Sequence, residues 1–256
     1  MKYDKQEKAI IDAYEKGKMK RKSKNQSRQD REYDQILTEL KSYASKKNVK
    51  GMAKFGIRGK NVLGGPQLPV LRKMAKGIGK DHRLALRLWG SEIHEARILA
   101  AMVAEPEKAT ERQLERWVKE FDSWDICDQV CSNFFDKTKF AYKKAGAWSR
   151  KEKEFVKRAG FVLMASLAVH DKEAADKKFV AFFKDIKREV GDERNFVKKA
   201  VNWALRQIGK RNISLNRATI RLAEEVLKID SKSSKWIAKD ALKELKSPAV
   251  RKRLVR

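Results

Sequence analysis

Apolar residues recur every three to four positions along almost the whole chain after Arg31, which is the spacing of an amphipathic helix. One apolar stripe joins Tyr33, Ile36, Leu37, Leu40, Tyr43 and Ala44, and another joins Leu114, Trp117, Val118 and Phe121. No segment of similar length alternates with the period of two that is typical of a strand. Residues 107–247 contain no proline, as a series of packed helices requires. The pattern predicts an all-α fold.

A short sequence repeats along the second half of the chain. Phe155-Val156-Lys157-Arg158-Ala159 recurs 41 residues later from Phe196, and more loosely 40 residues after that from Trp236. This period is typical of HEAT-like and armadillo helical repeats, so we predict a solenoid of antiparallel helix pairs with a concave basic face. The predicted pairs are 110–121 with 124–136, 139–147 with 153–169, 174–187 with 195–211, and 215–228 with 232–246. Thr110-x-x-Gln113 and Ser149-x-x-Glu152 have the spacing of capping boxes at two helix starts.

Two segments interrupt this pattern. Glycine and proline are frequent between residues 48 and 80, and Gly59–Pro66 lacks the context of a nucleotide-binding loop, so we interpret it as a connection between helices. Residues 18–28 hold six cations and no acid. We predict a basic N-terminal extension over residues 1–31 that grips nucleic acid non-specifically, followed by a repeat domain over residues 32–256. In the alternative, a first helix around Ala9, Ile10 and Tyr14 packs as a cap.

The charge balance of the chain indicates the class of binding partner. The chain has 62 Lys and Arg against 34 Asp and Glu, a net charge of +28 that attracts phosphate backbones. Nucleic acid is the leading partner, and a solvated cationic surface without a partner is the alternative. No stretch is apolar enough to span a bilayer, and the N-terminus lacks the hydrophobic core of a signal peptide. We therefore expect a cytoplasmic, nucleoid-associated monomer with no membrane partner.

Metal and disulfide chemistry find little support. The two cysteines, Cys127 and Cys131, are four residues apart, which predicts two reduced, partly buried thiols. Their number excludes a disulfide framework and a four-cysteine metal site. His82, His94 and His170 are scattered without metal-ligand spacing, so we expect packing or surface roles for them and no metal or cofactor.

Other residues are candidates for chemistry. Trp124 and Asp128, four residues apart, share one face of a predicted helix, and a carboxylate beside an aromatic ring suits a cation. At matched repeat positions, Lys157/Arg158 and Lys198/Lys199 are candidates for a stripe along a phosphate backbone, although each could also be a solvated helix face. By residue type alone, Trp124 and Trp203 also fit apolar packing positions. We expect packing roles for Trp89, Trp117, Trp148 and Trp236.

Three segments together, residues 121–131, 154–159 and 195–211, resemble the AlkD family of DNA alkylation-repair glycosylases. The similarity extends over roughly residues 33–246. It implies a HEAT-like solenoid whose concave face holds duplex DNA. It also implies hydrolysis of the N-glycosidic bond of cationic alkylpurines, such as 3-methyladenine and 7-methylguanine, which leaves an abasic site.

The resemblance also implies roles for individual residues. The family's catalytic aspartate matches Asp128, its active-site tryptophans match Trp124 and Trp203, and an arginine that contacts DNA near the lesion matches Arg158. Arg206, Lys210 and Arg211, in the third matching segment, complete the predicted DNA contacts. Two alternatives remain, a non-catalytic repeat protein that binds damaged or branched DNA and an RNA-binding or ribosome-associated protein. The presence of the aspartate favours the glycosylase.

Overall fold

The structure is a computed structural model that describes residues 28–59 and 61–255. Within these residues it is entirely helical, which confirms the predicted all-α class. Residues 1–27, which include most of the predicted basic extension and the alternative capping helix near Ala9, Ile10 and Tyr14, lie outside the described residues. None of the described helices is long and apolar enough to cross a bilayer.

Fifteen α-helices follow one another in the described chain. They are α1 (Arg28–Ser42), α2 (Lys46–Lys54), α3 (Leu68–Ile78), α4 (His82–Gly90), α5 (His94–Val103), α6 (Glu111–Lys119), α7 (Trp124–Asn133), α8 (Ala141–Trp148), α9 (Glu154–His170), α10 (Asp176–Val180), α11 (Phe183–Glu189), α12 (Asn195–Gly209), α13 (Ile213–Leu227), α14 (Lys232–Leu245) and α15 (Pro248–Leu254). The chain forms two compact units, and the boundary between them falls between Phe134 and Phe135.

The first unit is built around α5, which packs against α3, α4 and α7. Trp89 of α4 stacks on Trp117 of α6, with ring centroids 4.0 Å apart and an interplanar angle of 4°. Both indoles are buried, as predicted. These contacts place the first turn of α7 beside the start of α5, where the candidate site lies.

The second unit is built around α9 and α12, which pack against each other. The α9 helix is buried from Val156 to Ala168, and α12 also packs against α13 and α14. Phe155 and Phe196, at matched positions of the repeat, have ring centroids 5.7 Å apart. The period in the sequence therefore corresponds to contacts between successive helix pairs.

The predicted helix limits are confirmed to within a few residues for all but one helix. The exception is 174–187, which is broken between α10 and α11 at Ala181 and Phe182. At the break, the Phe182 amide donates to the Phe179 carbonyl at 3.0 Å, a tighter turn than in an α-helix. Phe179 and Phe182 are both buried there against Tyr142.

One of the two predicted capping boxes forms its helix cap. The Thr110 hydroxyl accepts a hydrogen bond from the Gln113 amide at 3.1 Å and caps α6. The prediction for Ser149 is wrong, because α9 begins later, at Glu154. Ser149 instead follows the last residue of α8, where its buried hydroxyl donates to the Gly146 carbonyl at 2.9 Å.

Candidate active site and nucleic-acid interface

The first two turns of α7 hold two of the predicted catalytic side chains. Trp124 is its first residue and Asp128 lies one turn later on the same face, and both are half-buried. The Trp124 indole Nε1 donates a hydrogen bond to the Phe55 carbonyl at 2.9 Å. This contact fixes the orientation of the indole ring relative to the connection between α2 and α3.

The Phe55 carbonyl is held in place by the way α2 ends. The Gly56 amide donates to the Ala53 carbonyl and the Ile57 amide to the Met52 carbonyl, each at 3.1 Å, which is the Schellman pattern. Gly56 has φ +86°, a conformation that favours glycine. The Phe55 ring is 73% exposed. Our sequence interpretation did not identify Phe55, although an aromatic residue directly before a glycine and between Lys54 and Arg58 was a visible signal.

The connection itself is anchored by Glu95, a carboxylate that is 3% exposed. Its two oxygens accept hydrogen bonds from the amides of Leu63 and Gly65, at 3.1 and 3.2 Å. The preceding residue, His94, donates a hydrogen bond from its backbone amide to the Asn61 carbonyl at 3.1 Å. The start of α5 therefore fixes the middle of the connection, while α7 fixes its beginning through Trp124.

His94 also joins α5 to α7. Its Nε2 lies 2.7 Å from Oδ2 of Asp125, and the imidazole is 3% exposed. Burial alone would lower the pKa of His94, but the hydrogen bond and charge of Asp125 outweigh burial and raise it. Burial would likewise raise the pKa of Asp125, and the interaction with His94 lowers it instead. The pair is therefore an ion pair in mildly acidic solution, and Asp125 serves the packing of α7.

This ion pair predicts a pH dependence of stability. Because the pKa of His94 is raised in the folded state, its contribution is fully present below the unfolded value of about 6.5 and is lost as pH rises through the folded value. The Asp125 contribution is present above an unfolded pKa of about 3.9 and is lost as pH falls through the lowered folded value. We expect His94→Gln to lower the free energy of unfolding by about 2 kcal/mol near pH 6.

Urea denaturation of the native protein and of His94→Gln at a series of pH values measures this effect. The difference between the two should shrink as pH rises above about 6.5. The relevant quantity is the difference in the free energy of unfolding between the two proteins. The pH profile of the native protein alone is not sufficient, because burial lowers the pKa of His82 and gives its contribution to stability the opposite pH dependence. A difference that stays constant from pH 6 to pH 10 would contradict the ion pair.

Lys157 and Arg158, in the second unit, were predicted to contact DNA but are each only 6% exposed. The Lys157 Nζ lies 2.6 Å from Oε2 of Glu189 and 3.5 Å from Oδ2 of Asp192. The Arg158 guanidinium donates to the Phe196 carbonyl at the start of α12. Both charges are engaged within the second unit in this structure, and the contact of either side chain with DNA stays a prediction.

Three more of the predicted contacts are engaged within the second unit. Arg206 and Lys210 both pair with the Glu244 carboxylate, at 2.5 and 2.6 Å. Arg211 donates to three backbone carbonyls, those of Ala168, Lys172 and Ala174, and its guanidinium lies over the Phe179 ring. Arg211 therefore ties α12 to the segment after α9.

The remaining predicted residues of α12 are more accessible. Lys199 is exposed, and Trp203 is half-buried on the same face of the helix, four residues later. Lys198 is half-buried with its Nζ 5.6 Å from the centre of the Trp236 ring. Trp236 is 40% exposed, so it is not buried in the core as Trp89, Trp117 and Trp148 are.

Cys127 and Cys131 of α7 are reduced cysteines with fully buried side chains, so they are packing residues. Among residues 28–59 and 61–255, no group of three or more His, Cys, Asp or Glu side chains is arranged to hold a metal ion.

Comparison with known proteins gives the site a context. The family model for the DNA alkylation repair enzyme matches residues 36–245. One solved structure belongs to a family described as related to the HEAT-like repeat DNA glycosylases, with affinity for branched DNA structures. It is 20% identical, with a TM-score of 0.69 over 87% of this chain and 95% of that chain, and this likeness shows a HEAT-like repeat fold. An engineered protein, 15% identical with a TM-score of 0.41 over 95% of this chain and 99% of that one, is too dissimilar to support any argument. No curated protein matches the sequence significantly.

Proposed function

Because this chain belongs to the DNA alkylation repair enzyme family, we propose that it is a monofunctional DNA glycosylase. It hydrolyses the N-glycosidic bond of cationic alkylpurines such as 3-methyladenine and 7-methylguanine in duplex DNA and leaves an abasic site. The observation that carries the proposal is the arrangement of the first two turns of α7. Trp124 is oriented by the Phe55 carbonyl and Asp125 is paired with His94, so Asp128 is the carboxylate that shares a face with the indole.

The chemistry follows from the charge of the substrate. An alkylated purine is already a cationic leaving group, so its departure needs no general acid. As the glycosidic bond breaks, positive charge develops on the deoxyribose as an oxocarbenium ion. A carboxylate beside C1′ stabilises that charge and orients the attacking water, as in glycoside hydrolases. Asp128 has this role in the proposal.

The aromatic side chains complete the proposed site. The faces of Trp124 and Trp203 carry negative charge density that attracts the cationic base and the C–H edges of the sugar. Lys199, exposed on the Trp203 face of α12, is the cation of that helix best suited to meet a phosphate. Trp124 and Asp128 belong to the first unit and Trp203 to the second.

A second function is favoured by one specific observation. The solved relative with a HEAT-like fold is described as having affinity for branched DNA, so this chain could bind branched or damaged DNA without excising a base. Retention of Asp128 beside an oriented Trp124 favours catalysis, because binding to a polyanion gains nothing from a carboxylate on the binding face.

Release of alkylpurines from methylated DNA separates the two functions. We expect the native protein to liberate free 3-methyladenine or 7-methylguanine from methylated duplex DNA, detected by chromatography of the ethanol-soluble fraction. A reaction without protein corrects for spontaneous loss of these labile bases. Tight binding to the same DNA with no release above that background would favour the non-catalytic function.

A further inference from the structure

One segment of the first unit has an extreme charge composition. The 35 residues from Lys46 to Lys80 include ten cations and not one Asp or Glu. The ten are Lys46, Lys47, Lys50, Lys54, Arg58, Lys60, Arg72, Lys73, Lys76 and Lys80. This segment contains α2, the connection that holds Trp124, and α3.

Both helices of the segment turn their cations to solvent. In α2 the half-buried residues are Val49, Gly51, Met52 and Ala53, and Lys46, Lys47, Lys50 and Lys54 are exposed. Lysines spaced by four residues rise about 6 Å per step along the helix. In α3 the buried residue is Leu71, and Arg72, Lys73 and Lys76 are exposed. We call these seven exposed cations the α2–α3 surface.

The α2–α3 surface has no acidic residue in its own segment of the sequence. Within the described part of the chain, none of its seven side chains forms an ion pair. Three exposed lysines of the second unit are paired by contrast, Lys187 with Glu225, Lys235 with Asp230 and Lys246 with Glu224, at 2.8, 2.6 and 2.8 Å. A cation without a carboxylate partner in the protein gains the most binding free energy when it contacts a phosphate. The contact releases the counterion that was condensed on that phosphate.

The surface is also fixed relative to the candidate site. Its two helices are joined by the connection whose Phe55 carbonyl orients Trp124 and whose amides are bound by Glu95. The Asn48 side chain of α2 donates to the Gly64 carbonyl at 3.0 Å, and Gly64, at φ +63°, approaches the backbone of Ser45 and Val49 closely. The surface therefore belongs to the same body as Trp124 and Asp128.

We propose that the α2–α3 surface is a principal DNA-binding surface of this protein, contacting the phosphate backbone beside the site of excision. This inference rests on the proposed function for its partner, duplex DNA. It moves the main electrostatic contact away from Lys157, Arg158, Arg206, Lys210 and Arg211, whose charges are buried or engaged within the second unit.

The test compares three triple variants of the full chain. Two remove the surface, Lys46→Gln with Lys50→Gln and Lys54→Gln, and Arg72→Gln with Lys73→Gln and Lys76→Gln. The control, Lys187→Gln with Lys235→Gln and Lys246→Gln, makes the same change in net charge at exposed lysines that already have carboxylate partners. Since α2 contributes no fully buried residue, its triple variant leaves the core intact.

Affinity for an undamaged duplex is measured by fluorescence anisotropy over a range of KCl concentrations. Each phosphate contact contributes about −0.9 to the log–log slope, so each surface triple should reduce the slope by about 2 to 3 in magnitude. The control should reduce it by less than about 1. Equal reductions in the control and the surface triples, or native slopes in both surface triples, would overturn the assignment.

The outcome separates this inference from the proposed function, because binding to an undamaged duplex requires no excision. If the salt dependence of DNA binding is weaker in the surface triples and the native protein releases no alkylpurine, the assignment of the DNA-binding surface holds and the glycosylase proposal fails. If the native protein excises and the surface triples bind DNA as the native protein does, the surface assignment fails alone.

Discussion

Replacing Asp128 with asparagine should slow excision of 7-methylguanine by about two to three orders of magnitude. The substitution keeps the shape of the side chain and removes its charge. A carboxylate about 4 Å from a developing positive charge, at an effective dielectric of about 20, is worth up to about 4 kcal/mol. That energy corresponds to roughly a thousandfold in rate, and the ground-state cation reduces the effect because it is partly stabilised too. Single-turnover kinetics at saturating protein measure the rate.

Affinity provides the second readout for Asp128→Asn. Binding to lesion-containing DNA should stay equal or increase, because the carboxylate also repels phosphates. The matched control is Asp125→Asn, three residues earlier on α7, whose carboxylate is committed to His94. It should lower the free energy of unfolding and change the excision rate much less. Interchangeable effects of the two variants, or full activity of Asp128→Asn, would remove Asp128 from the proposed chemistry.

Replacing Glu95 with alanine should destabilise the first unit by about 3 kcal/mol or more. The Glu95 carboxylate accepts two backbone amides, those of Leu63 and Gly65, in a site that is 3% exposed. A hydrogen bond to a charged group contributes about 1.5 to 3 kcal/mol, and alanine leaves both amides without this acceptor. Urea denaturation at pH 7 measures the change.

Glu39→Ala is the control, because Glu39 is an exposed glutamate of α1 in the same unit and its loss should cost less than about 0.5 kcal/mol. Because Glu95 anchors the connection that orients Trp124, Glu95→Ala should also weaken DNA binding at temperatures where the protein remains folded. A loss of stability no larger than that of Glu39→Ala would show that the connection does not depend on this carboxylate.

Much of the fold could be predicted from the sequence, because its determinants are local. The apolar stripes and the start signal at Thr110 place most helices of the second half within a few residues, and the repeat of 41 residues correctly pairs Phe155 with Phe196. The break at Ala181 and Phe182 was not visible in this way. There the chain rewinds to bury Phe179 and Phe182 against Tyr142, which lies on α8.

The site was less predictable, because its charged side chains pair with residues that are distant in the sequence. The sequence predicted that Lys157, Arg206 and Lys210 contact DNA, and it did not reveal their partners Glu189 and Glu244, which lie 32 to 38 residues away. The pairing of His94 with Asp125, 31 residues apart, was equally hidden. A periodic pattern shows that a cation recurs, and only packing decides whether a carboxylate has neutralised it. The absence of acids between Lys46 and Lys80 is visible in the sequence. Only the structure shows that the cations of α2 and α3 in this segment are exposed.

The central claim is that this chain breaks the glycosidic bond of an alkylated purine, and one measurement tests it most directly. Native protein in excess is incubated with a duplex carrying a single 7-methylguanine, and free base and aldehyde-reactive abasic sites are quantified over time. The account predicts equal yields of free base and abasic site, without strand incision, and a much slower reaction for Asp128→Asn. A duplex that is fully bound by the native protein and yet loses its base no faster than unbound DNA would contradict the account.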